Sequence, residues 1–322
     1  MKFLLAACAL LSLTATGAGA AAADAYPSKP IRMIVAYTAG GPVDITARAI
    51  GPKLSEALGQ PVVIDNRAGG SGLIATDLVA KSAPDGYTVL VCSAGNTINA
   101  SFNPNLPYDW LRDFAPVTEV AIITSILVIH PGVPAHSVKE LIALARAKPG
   151  QLTYASTGNG TPAHLAAELF KTMAGVDIVH VPYKGGAPAA IDLMGGQVQL
   201  SFLSAPAVMP HIKSGRLTAL AVTNSKRSAL LPQLPTIGEA GLPGYESEGW
   251  HGICAPVRTP KPIIDRLYRE ISTIVKLPQV SAYLASGGAE TVDVPPDRFG
   301  AMMRAEVSKW AKLVKAAGMK ID

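Results

Sequence analysis

The sequence predicts an α/β protein of two lobes, each a parallel-rich sheet flanked by helices. Three observations carry this prediction. Two successive series of short apolar runs alternate with amphipathic segments, the pattern of βαβ units. Each series holds a strand that feeds a helix through a turn of small residues, at Tyr37–Pro42 and at Ser156–Pro162. A mainly helical tail follows both series.

Ile31–Ala36 is apolar and rich in β-branched side chains, as a buried strand should be. Thr38-Ala39-Gly40-Gly41-Pro42 breaks it, and Ile45, Ala49 and Ile50 space a helix over Val43–Leu58, closed by Gly59. Val62–Asp65 is a strand, followed by the turn Ala68–Gly72, a helix over Leu73–Lys81 and the stop Pro84-Asp85-Gly86. Thr88–Cys92 is a third strand, so this region reads as βαβαβ with right-handed crossovers. Asn96–Pro116, rich in Pro and Asn, reads as a long surface connection. Val120–Ile129 falls short of the roughly 20 apolar residues a spanning helix needs and reads as one buried strand.

A second series starts around Ile122–His130. Ser137 caps a helix that runs to Lys148. Leu152–Ala155 is a strand, Pro162–Met173 a helix, Ile178–Val181 a strand and Ala187–Met194 a helix. Val198–Leu203 is a strand, Ala207–Lys213 a helix and Leu217–Val222 a strand. Leu231–Tyr245 winds through Pro and Gly to a strand at Trp250–Ala255. Helices over about 262–276, 278–286 and 296–317 end the chain. They return to cover the first lobe, which makes it discontinuous. The expected boundaries are 24–124 plus 251–322 for lobe one and 125–250 for lobe two.

Ligands of open parallel sheets bind beyond the carboxyl ends of the strands. The turns Tyr37–Gly41, Ser93–Thr97, Ser156–Thr161, Tyr183–Gly186 and Leu203–Ala205 therefore face one cleft. They hold no acidic residue and one cation, Lys184. The candidate ligand-binding residues from the first turn are Tyr37, Thr38, Ala39, Gly40, Gly41 and Asp44. Ser93 and Asn96 come from the next, and Ser156, Thr157, Gly158, Asn159, Gly160, Thr161 and His164 from the third. Tyr183, Lys184 and Ser204 complete the set. Backbone N–H groups at the positive end of a helix dipole suit a carboxylate or phosphate, although an ordinary βα connection has the same composition. Asp44 either caps its helix or orients water in the cleft. Lys184 either meets an anion or is solvated. His164 and Glu168, four apart on a helix, form a surface pair, brace the loop or share a metal, and no third ligand is in view. Gly158 and Gly160 lack the third glycine of a dinucleotide fingerprint.

The chain starts MKFLLAACALLSLTATGAGAAAADA, which reads as a secretory signal peptide over residues 1–23, cut between Ala20 and Ala25. Leu5-Ala6-Ala7-Cys8 has too short an apolar region before Cys8 for a lipoprotein box. Cleavage removes only Lys2 among charged residues, so the net charge falls from +5 to +4. The basic residues are scattered and aromatics are few, which argues against a nucleic-acid partner. Two cysteines remain, Cys92 and Cys254, either as a disulfide or as two buried thiols. There is no G-x-S-x-G elbow, no Walker lysine loop, no HExxH and no zinc-type Cys/His spacing. No cofactor or metal is expected.

Several motifs then stand together in order: Tyr26-Pro27-Ser28-Lys29-Pro30, Gly40-Gly41-x-x-Asp44-x-x-Ala47-Arg48, Asp65-Asn66-Arg67-x-Gly69-Gly70-x-Gly72 and Asp85-Gly86-Tyr87-Thr88. Ser156-x-Gly158-x-Gly160-Thr161-x-x-His164, Val181-Pro182-Tyr183-Lys184-Gly185, Leu234-Pro235-Thr236 and Ala255-Pro256 with Thr259-Pro260 continue the set. In these the chain resembles the Bug-type (TctC-like) periplasmic solute-binding receptors of tripartite tricarboxylate transporters, over nearly its whole mature length. The resemblance implies a Venus-flytrap fold of the type II periplasmic binding-protein kind, no enzyme activity, and a small organic carboxylate held in the cleft. It implies that Tyr37–Gly41 and Ser156–Thr161 clamp one carboxylate, and that a membrane permease receives the ligand. Many relatives read Phe-Asp where this chain has Leu203-Ser204, which argues against an amino-acid ligand.

The expected protein is a monomeric, periplasmic receptor that closes on a carboxylate by rotation near Thr124 and Trp250. The competing reading, a periplasmic hydrolase or dehydrogenase acting on a carboxylate-bearing substrate, lacks an activated nucleophile and a complete cofactor fingerprint.

Overall fold

The computed structural model describes residues 26–103 and 105–319. The expected signal peptide over 1–23, with Cys8, lies outside the described residues. In chain order the first stretch runs β1 (Ile31–Val35), α1 (Pro42–Leu58), β2 (Val62–Asn66), α2 (Leu73–Ala80), β3 (Thr88–Ser93), α3 (Ala94–Phe102) and β4 (Phe114–Ile123). The second runs β5 (Ser125–Ile129), α4 (Val138–Ala147), β6 (Thr153–Ser156), α5 (Pro162–Ala174), β7 (Val179–Pro182), α6 (Gly186–Met194), β8 (Leu200–Ser204), α7 (Ala205–Lys213) and β9 (Thr218–Val222). The chain then returns through β10 (Gly249–Pro256), α8 (Lys261–Val275), α9 (Pro278–Ser286), β11 (Ala289–Val294) and α10 (Pro296–Ala317).

These strands form two sheets, of order β11-β4-β10-β3-β1-β2 and β7-β6-β8-β5-β9. Both are mixed. In the first, β2, β1 and β3 are parallel as the βαβαβ pattern predicts, while β10, β4 and β11 join antiparallel. In the second, β7, β6 and β8 are parallel and β5 and β9 antiparallel. Antiparallel joins arise where the chain returns from elsewhere rather than through a βαβ crossover.

The first sheet is covered on both faces, which is why its strands read as continuous apolar runs. Ile31, Met33 and Val35 face α1, α8 and α9, and Ile34 and Leu90 face α2 and α10. Fully burying each such side chain contributes roughly 1.5–3 kcal/mol. Pro at the first position starts α1 and α5, and left-handed glycines, Gly59 and Gly175, end them. Ser137 caps α4 by accepting from the Glu140 N–H, the side-chain cap the sequence predicts.

The structure departs from the sequence reading at three places. Val120–Ile129 is two strands, not one: β4 belongs to the first sheet, β5 to the second, and Thr124 alone parts them. Asn96–Pro116 is not a surface connection throughout, because α3 occupies its start and β4 its end. The α3 helix is started by the Asn96 carboxamide oxygen, which accepts the Ser93 N–H at 2.8 Å. Strand β11 was not expected at all; it pairs with β4 at the sheet edge. Cys92 and Cys254 are two buried thiols with their Sγ atoms 3.0 Å apart.

Two links join the lobes, the β4–β5 junction and the loop from β9 to β10. Thr124 Oγ1 donates to Glu290 on β11 at 3.2 Å, and Glu290 also accepts from Ser228 Oγ and the Ala229 N–H in that loop. On the opposite side, Leu165 of α5 packs with Ile98 of α3 and with Trp310 and Leu313 of α10. Residues of both lobes line a cavity between them.

Candidate functional site

The cavity encloses about 500 Å³, within the range of small-molecule sites. Its wall is made by the starts of five helices. Gly41 and Pro42 come from α1, Ser93, Ala94 and Gly95 from α3, and Pro162 and Ala163 from α5, with Gly185 and Ser204 at the N-caps of α6 and α7. The positive ends of these helix dipoles give such a wall positive potential without a cation. Val43, Ile123, Phe202, Leu203 and Trp250 supply its apolar part. No Asp, Glu, Lys or Arg side chain lines it among the described residues.

Of the residues singled out from sequence, Tyr37, Thr38, Gly41, Ser93, Thr157 and Ser204 line the cavity. Tyr37 points its hydroxyl at Ser93 Oγ, 3.4 Å away, and burial raises its pKa so that it stays a neutral phenol. Gly95 is needed beside it: a Cβ there would lie 2.5 Å from the Tyr37 hydroxyl oxygen.

The remaining candidates stand behind the wall or outside it, and most are explained by the turns they hold. Asp44 is buried beneath the Tyr37–Gly41 turn. It accepts from the Gly40 N–H at 2.8 Å, from Arg48 at 2.7 Å and from Asn66 at 3.0 Å. Burial alone would raise its pKa, but the bonds from Arg48, Gly40 and Asn66 outweigh that and hold it below the ordinary carboxylate range. Ala39 and Gly40 are exposed on the outer side of that turn. Asn96 starts α3 and donates to Thr76 at 2.9 Å. Replacing Asp44 by Ala is expected to destabilise the protein by about 1–3 kcal/mol, because the Gly40 N–H, Arg48 and Asn66 lose the acceptor that ties the turn to α1. Urea unfolding checks this, and a loss below 0.5 kcal/mol, the size of an ordinary surface change, would show that the turn holds without it.

The Ser156–Thr161 turn is held from inside its own lobe. Thr161 caps α5 by accepting from the His164 N–H and donates to the Gly158 carbonyl at 2.7 Å. Ser156 Oγ sits 2.6 Å from His180 Nε2 and bonds both backbone groups of Gly158. His164 Nδ1 accepts the Gly160 N–H at 3.0 Å. The rings of His164 and His180 stack at 4.0 Å, and Tyr154 stacks against both, 4.8 Å from His180 and 6.4 Å from His164. Ser156 is completely buried, so its contact with His180 is a loop brace and not a reacting pair. Asn159 and Lys184 are exposed, and Tyr183 donates to Asp192.

Sequence reasoning missed Ile123, Phe202, Trp250 and His251 as wall residues. Each sits on a strand, where apolar or aromatic character alone reads as core. His251 is almost fully buried, and burial pushes its pKa down to about 4. Its Nδ1 lies 2.7 Å from Thr46 Oγ1 in the first turn of α1.

A two-lobed α/β protein with an interlobe cavity walled by helix starts and lined by no Asp, Glu, Lys or Arg among the described residues is a solute-binding receptor in its architecture. Residues 46–319 match the tripartite tricarboxylate transporter family receptor, TctC, and the chain belongs to that family. It is 40% identical to Protein BugT of Bordetella pertussis, across 100% of this chain and 99% of that one. Among solved structures it is similar to R. palustris Rpa4515 with adipate, at 39% identity and a TM-score of 0.78, covering 92% of this chain and 99% of that one. MatC (Rpa3494) from Rhodopseudomonas palustris with bound malate is 29% identical, with a TM-score of 0.74, covering 90% of this chain and all of the other. The family and these neighbours are receptors, not enzymes.

Proposed function

We propose that this protein is a periplasmic receptor that captures a small carboxylate between its lobes and delivers it to a tripartite tricarboxylate transporter permease. The observation that carries this is the convergence of five helix starts on a cavity with no charged side chain among the described residues. An anion is stabilised there by backbone dipoles. The adipate and malate named with two neighbours support a carboxylate as the anion. In this reading Tyr37, Thr38, Gly41, Ser93, Thr157 and Ser204 touch the ligand. Ala39, Gly40, Asp44, Asn96, Ser156, Gly158, Asn159, Gly160, Thr161 and His164 shape the turns, and Tyr183 and Lys184 flank the entrance. The predicted signal peptide directs export, the lobes divide near Thr124 and Trp250, and the receptor acts as a monomer.

A cavity without a carboxylate offers no countercharge to a ligand ammonium, and a buried ammonium without one is costly. A thermal-shift screen that includes adipate, malate, succinate and aspartate tests the reading. A ligand at a hundredfold excess over its Kd stabilises the fold by roughly 3 kcal/mol. Succinate is expected to stabilise more than aspartate. No shift with any organic acid would overturn the carboxylate reading. A matched measurement addresses closure: the radius of gyration is expected to fall on saturation with the best acid, as two lobes draw together about the Thr124 and Trp250 links. An unchanged radius would mean a rigid cleft.

A further inference from the structure

His251 is the one imidazole on the wall of the ligand cavity, and nothing in the binding reading so far uses it. It lies on β10 directly opposite Ser93 of β3, so it reaches the same end of the sheet as the start of α3. Gly252, the next residue, faces the other side: a Cβ there would lie 2.4 Å from the Phe299 ring of α10. The contact with Thr46 places the His251 ring against α1, beside the cavity it lines.

The protonation of the ring can be followed through its neighbour. Thr46 Oγ1 donates its single proton to the Pro42 carbonyl at 3.2 Å, and a carbonyl can only accept. With that proton on Pro42, the 2.7 Å contact between Thr46 Oγ1 and Nδ1 is a bond donated by an Nδ1–H. In a neutral imidazole this leaves Nε2 as a bare acceptor, and among the described residues it has no hydrogen-bond partner. Burial keeps the ring neutral, with its pKa near 4. An acceptor lone pair on a wall that otherwise presents helix-start N–H groups attracts a donor and repels a second carboxylate.

We propose that His251 is a specificity-determining residue whose Nε2 accepts a hydrogen bond from a hydroxyl or N–H group of the bound acid, so that the preferred ligands are carboxylates bearing a neutral donor rather than a second carboxylate. This rests on the reading of the cavity as a carboxylate site. The dipoles of the helix starts hold the carboxylate, the apolar wall takes the body, and His251 reads the remaining polar group. A hydroxyl that meets Nε2 satisfies both groups. A methylene there leaves the nitrogen unpaired, and a carboxylate sets lone pair against lone pair.

The experiment is calorimetric titration of the purified protein and of His251→Phe with two matched sets: 6-hydroxyhexanoate, hexanoate and adipate, and 4-hydroxybenzoate, benzoate and terephthalate. In at least one set the wild type is expected to bind the hydroxy acid tenfold or more tightly than its unsubstituted and dicarboxylate partners. His251→Phe is expected to bring the hydroxy acid within threefold of the unsubstituted acid. A structural defect would weaken all members of a set together, so the ratio isolates the role of the nitrogen. Equal ratios in wild type and variant overturn the proposal, and so does a dicarboxylate preference that disappears in the variant, because it would put the proton on Nε2. Binding of none of the six acids removes the carboxylate reading and this proposal with it, a result distinct from binding without His251 dependence.

Discussion

Replacing Trp250 by alanine is expected to lower the unfolding free energy by about 3–5 kcal/mol and to weaken capture of any acid the protein binds by at least tenfold. Trp250 is 2% exposed and packs edge-on against Phe299, with ring centroids 5.4 Å apart. Its Nε1 donates to Glu306 Oε2 at 2.6 Å. The same residue lines the ligand cavity on one side and, on the other, a second cavity that holds Glu119, Glu248 and Glu306. Alanine would join these two spaces and let water reach the apolar wall. It would also take from Glu306 its shortest bond, leaving the Thr97 hydroxyl at 3.3 Å. Trp250→Phe separates the two effects: the ring wall stays, the indole N–H goes, and the expected cost is about 1–3 kcal/mol for the orphaned acceptor. Chemical denaturation and calorimetry on both variants check this. An alanine variant within 1 kcal/mol of wild type would mean that the aromatic wall contributes little to the fold.

The contrast between this wall and the turns shows what the sequence makes legible. Tyr37–Pro42 and Ser156–Pro162 could be read directly, because their geometry is set locally by small residues, a proline at the first helical position and an apolar period beyond it. The same locality explains why three of the first sheet's strands were placed correctly. Trp250 and His251 are different. Their position on the cavity depends on β10 inserting antiparallel between β3 and β4, a pairing between strands more than a hundred residues apart in sequence. No local pattern announces it. The break at Thr124 was hidden for a related reason: Val120–Ile129 is buried on both sides of the break, so one apolar run serves two sheets. The α3 helix was obscured by Asn and Thr side chains that bond inward, Asn96 to Thr76 and Thr97 to Glu306. Their polarity reads as loop until the partners are known.

The candidate site follows the same division. Residues chosen for their turns split into those on the wall, such as Thr38 and Thr157, and those that brace the turn from behind, such as Asp44, Ser156 and His164. Composition alone does not separate the two, because a hydroxyl that donates to a ligand and one that donates to a glycine carbonyl look alike in sequence.

The bracing histidines and the buried glutamates together set a second large effect, a stability that falls on both sides of about pH 6.5. His164 is pushed down to about 4, chiefly by burial and then by the stacked His180, with the charges of Glu168 and Lys171 nearby acting in opposite senses. Its Nδ1 must stay unprotonated to accept the Gly160 N–H. His251, buried, is also near 4, and burial lowers His180. Between pH 6.5 and 4 the unfolded chain takes up protons at these positions that the folded chain does not. Stability is therefore complete above 6.5 and is lost as pH falls, by up to about 3 kcal/mol each for His164 and His251. Glu119 works in the opposite direction. Burial first, then Glu248 and Glu306, push it up to about 8, and Glu306 is raised by its own burial. Between 4.5 and 8 the folded chain keeps a proton that the unfolded chain has released, so this contribution is complete below 4.5 and is lost as pH rises. With two strongly shifted histidines against one strongly shifted glutamate, stability is expected to rise from pH 4.5 to 6.5 and to fall from 6.5 to 8. Urea unfolding at pH 4.5, 5.5, 6.5, 7.5 and 8 measures the profile. Glu119→Gln should flatten the alkaline fall and steepen the acid limb, and His164→Gln should make the acid limb shallower and leave the alkaline one. A Glu119→Gln curve parallel to wild type at every pH would show that Glu119 is already ionised in the folded protein.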